Sequence, residues 1–289
     1  MSTPGPAELH APARTGGAAQ LAPHVRRIVA PNPSPLTGPG TNTYVIGSAA
    51  GCIVVDPGPD DRAHLERVLA AAPGPIGGVL CTHSHTDHSP GATWLRAATG
   101  APVCGRPPPA DEYQDEAYAP DRSIEDGDMF EAGAARLRAV HTPGHASNHV
   151  CFLLEAEGWL LTGDHLMSGS TVVILPPDGS MRLYLESLRR LRAMPVRALL
   201  PGHGAVIANA PEEIDRVIAH RLKREAKVVA ALGRVDGGAL LDALLPVVYD
   251  DTPTALHVLA RHSLLAHLQK LLEEGRALLE GDVWSAVRG

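Results

Sequence analysis

The sequence predicts an α/β fold, in which two β-sheets pack together under covering helices and a small helical module follows. Three observations predict it. Short apolar runs that read as strands alternate with helical patterns over residues 25–210. Four groups of candidate ligand residues each follow such a run, as they would if strand ends converged on one edge of a sheet. From Pro211 the texture changes to consecutive helical patterns closed by a single hairpin.

In chain order, residues 1–22 are rich in Ala, Pro and Gly, lack a continuous apolar stretch and contain Glu8 and His10. They read as a disordered leader rather than a secretory signal. The main domain is expected over 23–210. Residues 25–29 and 43–46 read as strands and 52–55 as a buried strand. Residues 61–72 read as a helix with Leu65, Val68 and Leu69 on one face. A strand over 79–82 leads into a helix over 89–99, with Ser89 as its N-cap and Gly100 as its stop. Residues 106–120 are irregular and Pro-rich and carry Tyr113 and Tyr118; a surface crossing suits them better than a lid. Leu183, Leu185, Leu188 and Leu191 give residues 180–193 an amphipathic helical pattern.

The second domain is expected over 211–289. Helices over 211–232, 237–248 and 252–272, then a hairpin around Glu280-Gly281-Asp282, form a winged-helix-like set. Ten Lys/Arg against twelve Asp/Glu in this stretch deny it the electrostatic footprint of a duplex-DNA binder. A structural or dimerising appendage is expected, so a homodimer is allowed. Arg221, Lys223, Arg224 and Lys227 share one helix, more simply a solvated basic face than a grip on an anionic substrate.

Residues 81–88 read Cys81-Thr82-His83-Ser84-His85-Thr86-Asp87-His88, which places four metal-ligand side chains in six positions. Crowded imidazoles and a carboxylate would lose solvation without a partner, so the run points to metal. Three further sites each follow an apolar run: His145 in His141-Thr142-Pro143-Gly144-His145, Asp164 after Leu160-Leu161-Thr162-Gly163, and His203 in Pro201-Gly202-His203-Gly204. A lone His or Asp beside Gly is usually a turn residue; four such groups in this order are not. Asp56 ends the strand over 52–55, where it could orient a ligand imidazole or cap the following turn. His165, beside Asp164, could contact substrate or pack away.

These motifs resemble the metallo-β-lactamase superfamily over about residues 25–210. The resemblance implies an αββα sandwich in which His83, His85 and His145 hold one metal, Asp87, His88 and His203 hold the other, and Asp164 bridges. It also implies a supporting role for Asp56. Thr41-Asn42-Thr43-Tyr44 and the C-terminal tail narrow the resemblance to the branch of the lactamase-like endoribonuclease and its bacterial relatives. The glyoxalase II branch shares Thr-Pro-Gly-His and Gly-Asp, but its glutathione-binding pattern is missing from the C-terminal helices.

A donor set of imidazole and carboxylate without thiolate suits two Zn2+, with Mn2+ or Fe2+ allowed. The expected enzyme is a zinc-dependent binuclear hydrolase of an ester, thioester, lactam or phosphodiester. A metal-bridging hydroxide would attack, and Asp87 would orient it and accept its proton. Two alternatives are a single-strand endoribonuclease and a mononuclear iron persulfide dioxygenase; Asp87, His88 and His203, which would build a second site, oppose the latter. The expected partner is a small molecule or single-stranded RNA. At 289 residues and 44% hydrophobic content the chain can bury a real core, and its net charge of −7 opposes nonspecific adsorption to nucleic acid. Cys52, Cys81, Cys104 and Cys151 show no paired spacing and read as small buried hydrophobes. No stretch is long and apolar enough to span a membrane, and a cytoplasmic location is expected.

Overall fold

The computed structural model describes residues 12–287. The chain forms two compact units. The first comprises the chain up to Thr142, Asn148–Val172 and Arg192–Glu213; the second comprises Pro143–Ser147, Val173–Leu191 and the chain from Ile214. Among the described residues no helix is long and apolar enough to cross a membrane.

The first unit is built on two sheets. Strands β1 (Ala18–Ala22), β2 (Val25–Val29), β3 (Asn42–Ser48), β4 (Gly51–Val55), β5 (Ile76–Leu80), β6 (Val103–Gly105) and β7 (Arg122–Ser123) lie in that order in a seven-stranded sheet. The first four pair antiparallel, whereas β4 through β7 run parallel. The parallel steps are made by α1 (Arg62–Ala71) between β4 and β5 and by α2 (Gly91–Thr99) between β5 and β6. Strands β8 (Met129–Ala132), β9 (Ala135–His141), β10 (Val150–Leu154), β11 (Trp159–Gly163) and β12 (Ala198–Pro201) form a five-stranded sheet, antiparallel except for β11 beside β12.

Period-two alternation sorts the side chains into layers. Tyr44, Ile46, Ile53, Val55 and Leu80 of the first sheet share one core with Leu137, Phe152, Leu154, Leu161 and Leu200 of the second. The intervening Val45, Val54 and Val79 turn the other way and pack with Leu65 and Val68 of α1 and Leu95 of α2. The first sheet is therefore buried on both faces, which is why β4 and β5 read as continuous apolar runs.

Three sequence expectations are corrected in this unit. A leader extending to residue 22 does not hold: Ala18–Ala22 is strand β1, paired with β2 in the register Ala18↔Ile28, and Leu21 is buried. Residues 1–11 of that leader lie outside the described residues. Helix α2 starts at Gly91 with Pro90 at the N-cap, not at Ser89, because the Ser89 hydroxyl donates instead to Asp115 Oδ2 at 3.0 Å. Segment 106–120 is no plain surface crossing. Asp115 N–H donates to the Ser84 carbonyl at 2.7 Å, and Gln114 bridges to His85, so the segment straps the loop that carries the ligand run. The α1 boundaries and the Gly100 stop agree with the sequence reading; Asp61 caps α1 by accepting from His64 N–H at 2.7 Å, and Gly100 adopts φ 74°.

The second unit contains α3 (Met181–Arg192), most of α4 (Ala210–Leu232), β13 (Ala239–Leu240), α5 (Leu241–Val248), α6 (His257–Glu273) and the hairpin β14 (Ala277–Glu280) and β15 (Val283–Ala286). The expected partition into 23–210 and 211–289 differs from the two units. Helix α4 runs unbroken across Glu213, and α3 groups with the C-terminal residues rather than with the sheets. Val228, Leu232, Leu244, Val248, Leu264, Leu268 and Trp284 build the core of this unit. The helix expected from 237 begins at Leu241, because Gly237 and Gly238 take φ of 80° and 86° and Ala239–Leu240 pairs with β15. The helix expected from 252 begins as a 3-10 turn over Thr254–Leu256. The basic residues of α4 are largely engaged within the unit: Arg224 and Lys227 pair with Asp251, and Arg221 is buried. Glu225, also buried, accepts from Lys270 and Arg276 at 2.7 Å each.

Candidate metal centre

The parallel pairs β4/β5 and β11/β12 place four strand ends on the first unit, and every ligand candidate within it follows one of them. Asp56 follows β4, His83 to His88 follow β5, Asp164 follows β11, and His203 follows β12. His88 N–H donates to the His85 carbonyl at 2.9 Å, a tight turn that folds Asp87 and His88 back toward the sheet edge.

The donor atoms converge. Asp87 Oδ2 lies 3.1 Å from His203 Nε2 and 3.6 Å from His88 Nε2. Asp164 Oδ1 lies 3.3 Å from His203 Nε2 and 3.4 Å from His88 Nε2. Donor atoms of Asp87, His88 and His203 lie within 4.8 Å of one another, as do those of His83, His88 and Asp164. His83 Nε2 and His85 Nδ1 are 3.0 Å apart. His145 falls in the second unit, where its Nδ1 donates to the Val173 carbonyl at 2.8 Å. Gly144 before it lies against the α3 backbone; a Cβ there would come 2.4 Å from Tyr184 Cα, so only glycine fits.

Asp56 organises the imidazoles. It is 2% exposed and holds φ 49°, a left-handed conformation that Asp tolerates better than most residues. Its carboxylate accepts from Thr82 N–H at 2.7 Å, from Thr82 Oγ1 at 2.8 Å and from His88 Nδ1 at 2.9 Å. Because the Thr82 hydroxyl gives its proton to Asp56, it must accept from His83 Nδ1, 3.0 Å away. One carboxylate thus fixes two rings, His88 directly and His83 through Thr82, with the Nε2 atoms directed at the cluster.

The electrostatics match a cation site. Burial lowers the His88 pKa, but Asp87, Asp164 and Asp56 outweigh it and hold the imidazole well above its ordinary value. His203 is pushed up to about 9 by Asp164 and Asp87 against the opposing effect of burial. Burial would raise Asp87 and Asp164, yet the facing His88 and His203 keep both carboxyls below the usual range. Carboxylates concentrated here offer negative charge to a cation.

Several supports were not visible as such in the sequence. Asn42 Nδ2 donates to the carbonyls of Pro201 and Gly204 at 2.9 Å, and Tyr44 Oη donates to Pro201 at 2.8 Å. The Thr41-Asn42-Thr43-Tyr44 run therefore holds the loop of His203; its signal was the row of polar residues opening a buried strand. Ser84 donates to Gln114 and accepts from Asn148 at 2.7 Å, tying the ligand loop to the strap. His165 is fully buried, with its ring centroid 5.7 Å from that of His149. All four cysteines are free and buried, as expected.

The chain matches the metallo-beta-lactamase superfamily over residues 36–203 and the beta-lactamase associated winged helix domain over residues 241–284. It is 34% identical over 236 residues to an atrochrysone carboxyl ACP thioesterase of Paecilomyces divaricatus, covering 80% of this chain and 72% of that protein. A lactamase-like protein of Emericella nidulans is 32% identical over 267 residues, covering 89% of this chain and 83% of that protein. Among solved structures, a metallo-beta-lactamase family protein of Thermus thermophilus aligns with a TM-score of 0.75 at 25% identity, over 92% of this chain and 100% of its own. With its paired sheets and strand-end His/Asp cluster, this chain belongs to the metallo-beta-lactamase superfamily and joins that α/β sandwich to a C-terminal winged-helix domain.

Proposed function

We propose that the protein is a dinuclear metallohydrolase that cleaves a thioester carried by an acyl carrier protein. The convergence of Asp87, His88, Asp164 and His203 carries the metal part of this reading. Two carboxylates and two imidazoles facing one another at 3.1–3.6 Å serve no apolar core. Their N and O donors, without thiolate, fit Zn2+ and also Mn2+ or Fe2+. Within the first unit, Asp87, His88 and His203 would hold one cation and His83 and His85 would serve the other, with Asp164 as a further carboxylate donor. The thioester part is supported by the similarity to the ACP thioesterase.

Cations bound here would supply Lewis-acid polarisation and a water of lowered pKa. The chain's own residues do the rest. Asp87, kept ionised by His88 and His203, accepts a proton from the attacking water. Asp56 and Thr82 hold the imidazoles in the tautomers that present Nε2. Water adds to the acyl carbon, the C–S bond breaks, and the proton taken by Asp87 passes to the departing sulfur, so that a carboxylic acid and the carrier thiol leave.

Elemental analysis of protein purified without added metal, paired with turnover of a carrier-protein thioester, a lactam and a single-stranded RNA, tests this reading. About two equivalents of metal with thioester turnover support it. Turnover confined to lactam or RNA moves the protein to another branch. One equivalent of iron with no hydrolysis would promote a persulfide oxygenase, and absence of metal overturns the reading altogether.

A further inference from the structure

Behind the metal centre, and wholly within the first unit, lies a closed circuit of buried polar groups. Asp164 N–H donates to His149 Nε2 at 3.2 Å. That nitrogen must then lack a proton, so the neutral ring carries its proton on Nδ1 and donates it to Thr142 Oγ1, 2.9 Å away. Thr142 Oγ1 donates in turn to Cys151 Sγ at 3.3 Å, and Cys151 Sγ donates to the Thr162 carbonyl at 3.7 Å. The chain of donors leaves the turn at Asp164 and returns to it at Thr162. His149, Thr142, Cys151 and Thr162 are all 0% exposed.

The Gly163–Asp164 peptide is gripped from both sides. Its N–H is held by His149, and its carbonyl accepts from Gly202 N–H at 2.8 Å, beside His203. The ring also packs directly on the turn: a Cβ at Gly163, whose φ is 45°, would lie 2.7 Å from His149 Nε2. We propose that His149 is a positioning residue for Asp164, clamping the Gly163–Asp164 peptide as an Nδ1–H imidazole and so fixing where the Asp164 carboxylate can reach. The inference rests on the reading that Asp164 holds metal.

The test uses the full chain as wild type, His149→Gln, His149→Leu and Thr142→Val, with Asp164→Asn as reference. Zn2+ affinity is measured by chelator competition, the Co2+ ligand-field spectrum is recorded, and thermal unfolding is followed in parallel. His149→Leu, which cannot accept the N–H, should weaken Zn2+ binding by about tenfold or more and alter the Co2+ spectrum. His149→Gln, whose amide oxygen can accept it, should recover most of that loss, with Thr142→Val between the two. A His149→Leu protein that is less stable but binds Zn2+ at wild-type affinity with an unchanged spectrum overturns the inference and leaves a merely structural histidine. If His149→Leu does not fold, wild-type affinity and spectrum in Thr142→Val overturn it equally. Wild-type behaviour in Asp164→Asn instead removes Asp164 from the metal site, and the inference falls with that reading rather than on its own.

Discussion

His88 and Asp56 form a buried pair across two strand ends, with Nδ1 donating to Oδ2 at 2.9 Å, and the same carboxylate reaches His83 through the Thr82 hydroxyl. Asp56 is in none of the groups of converging donor atoms, but it sets the tautomer of two candidate ligand imidazoles. Replacing it with Ala should weaken metal binding by about 10- to 100-fold, the usual cost of losing a partner that orients a ligand. Asp56→Asn, which tolerates the left-handed backbone and can still accept from Thr82 N–H, should fall between wild type and Ala. Chelator competition ranks the three; equal affinities would show that the rings are held by other contacts.

Asp87 is expected to serve both as a ligand and as the proton acceptor. Asp87→Asn keeps an oxygen near His203 but cannot take the proton. It should lower kcat on the thioester by about 10²- to 10⁴-fold. Metal content measured on the same preparation separates the two roles: a fully loaded variant with wild-type kcat would end the proton-acceptor assignment.

Much of this centre was legible because ligand chemistry restricts residue type and spacing together. The run from His83 to His88, and Asp164 and His203 after apolar strands, could be read directly, and the structure brings those residues of the first unit to one place. What escaped were roles set by distant partners. Ser89 has the chemistry of an N-cap, yet Asp115, far along the chain, takes its hydroxyl. Thr82 looks like any strand residue until Asp56 and His83 flank it. His165 and His149 are equally ordinary histidines in sequence; only the fold buries both and aims His149 at the Asp164 amide. Strand β1 escaped because Ala18, Ala19 and Gln20 carry almost no apolar signal and are ordered by pairing with β2.

Gly202 separates steric crowding from backbone strain, because it is absent from the residues with positive φ. A Cβ added there would lie 2.7 Å from His88 Cε1 and 2.9 Å from Asp164 Oδ1. Gly202→Ala should therefore displace two ligands, weakening metal binding, with an overpacking cost of about 1–3 kcal/mol. Gly100→Ala is the contrast: φ is 74° and nothing lies within 4 Å, so it should cost about 1 kcal/mol of stability and leave metal affinity alone. Titration of metal into both proteins checks the difference, and a Gly202→Ala protein with wild-type affinity contradicts the tight fit.

His64 predicts an acid-sensitive step away from the ligands. It is fully buried on α1, 2.9 Å from Thr43 Oγ1, and burial, aided by Arg67, lowers its pKa from 6.5 to about 4. A depressed folded-state pKa means the neutral ring is the native form, so its stabilising contribution is complete above pH 6.5 and is lost as the pH falls toward 4. Across that window the loss amounts to about 3 kcal/mol. His64→Gln can keep a hydrogen bond to Thr43 but cannot titrate, so its stability should fall less between pH 7 and pH 4. Urea unfolding of both proteins at the two pH values gives the comparison. Parallel losses would mean that His64 is not the group responsible, whereas a flatter profile in the variant would assign the acid sensitivity to this one imidazole.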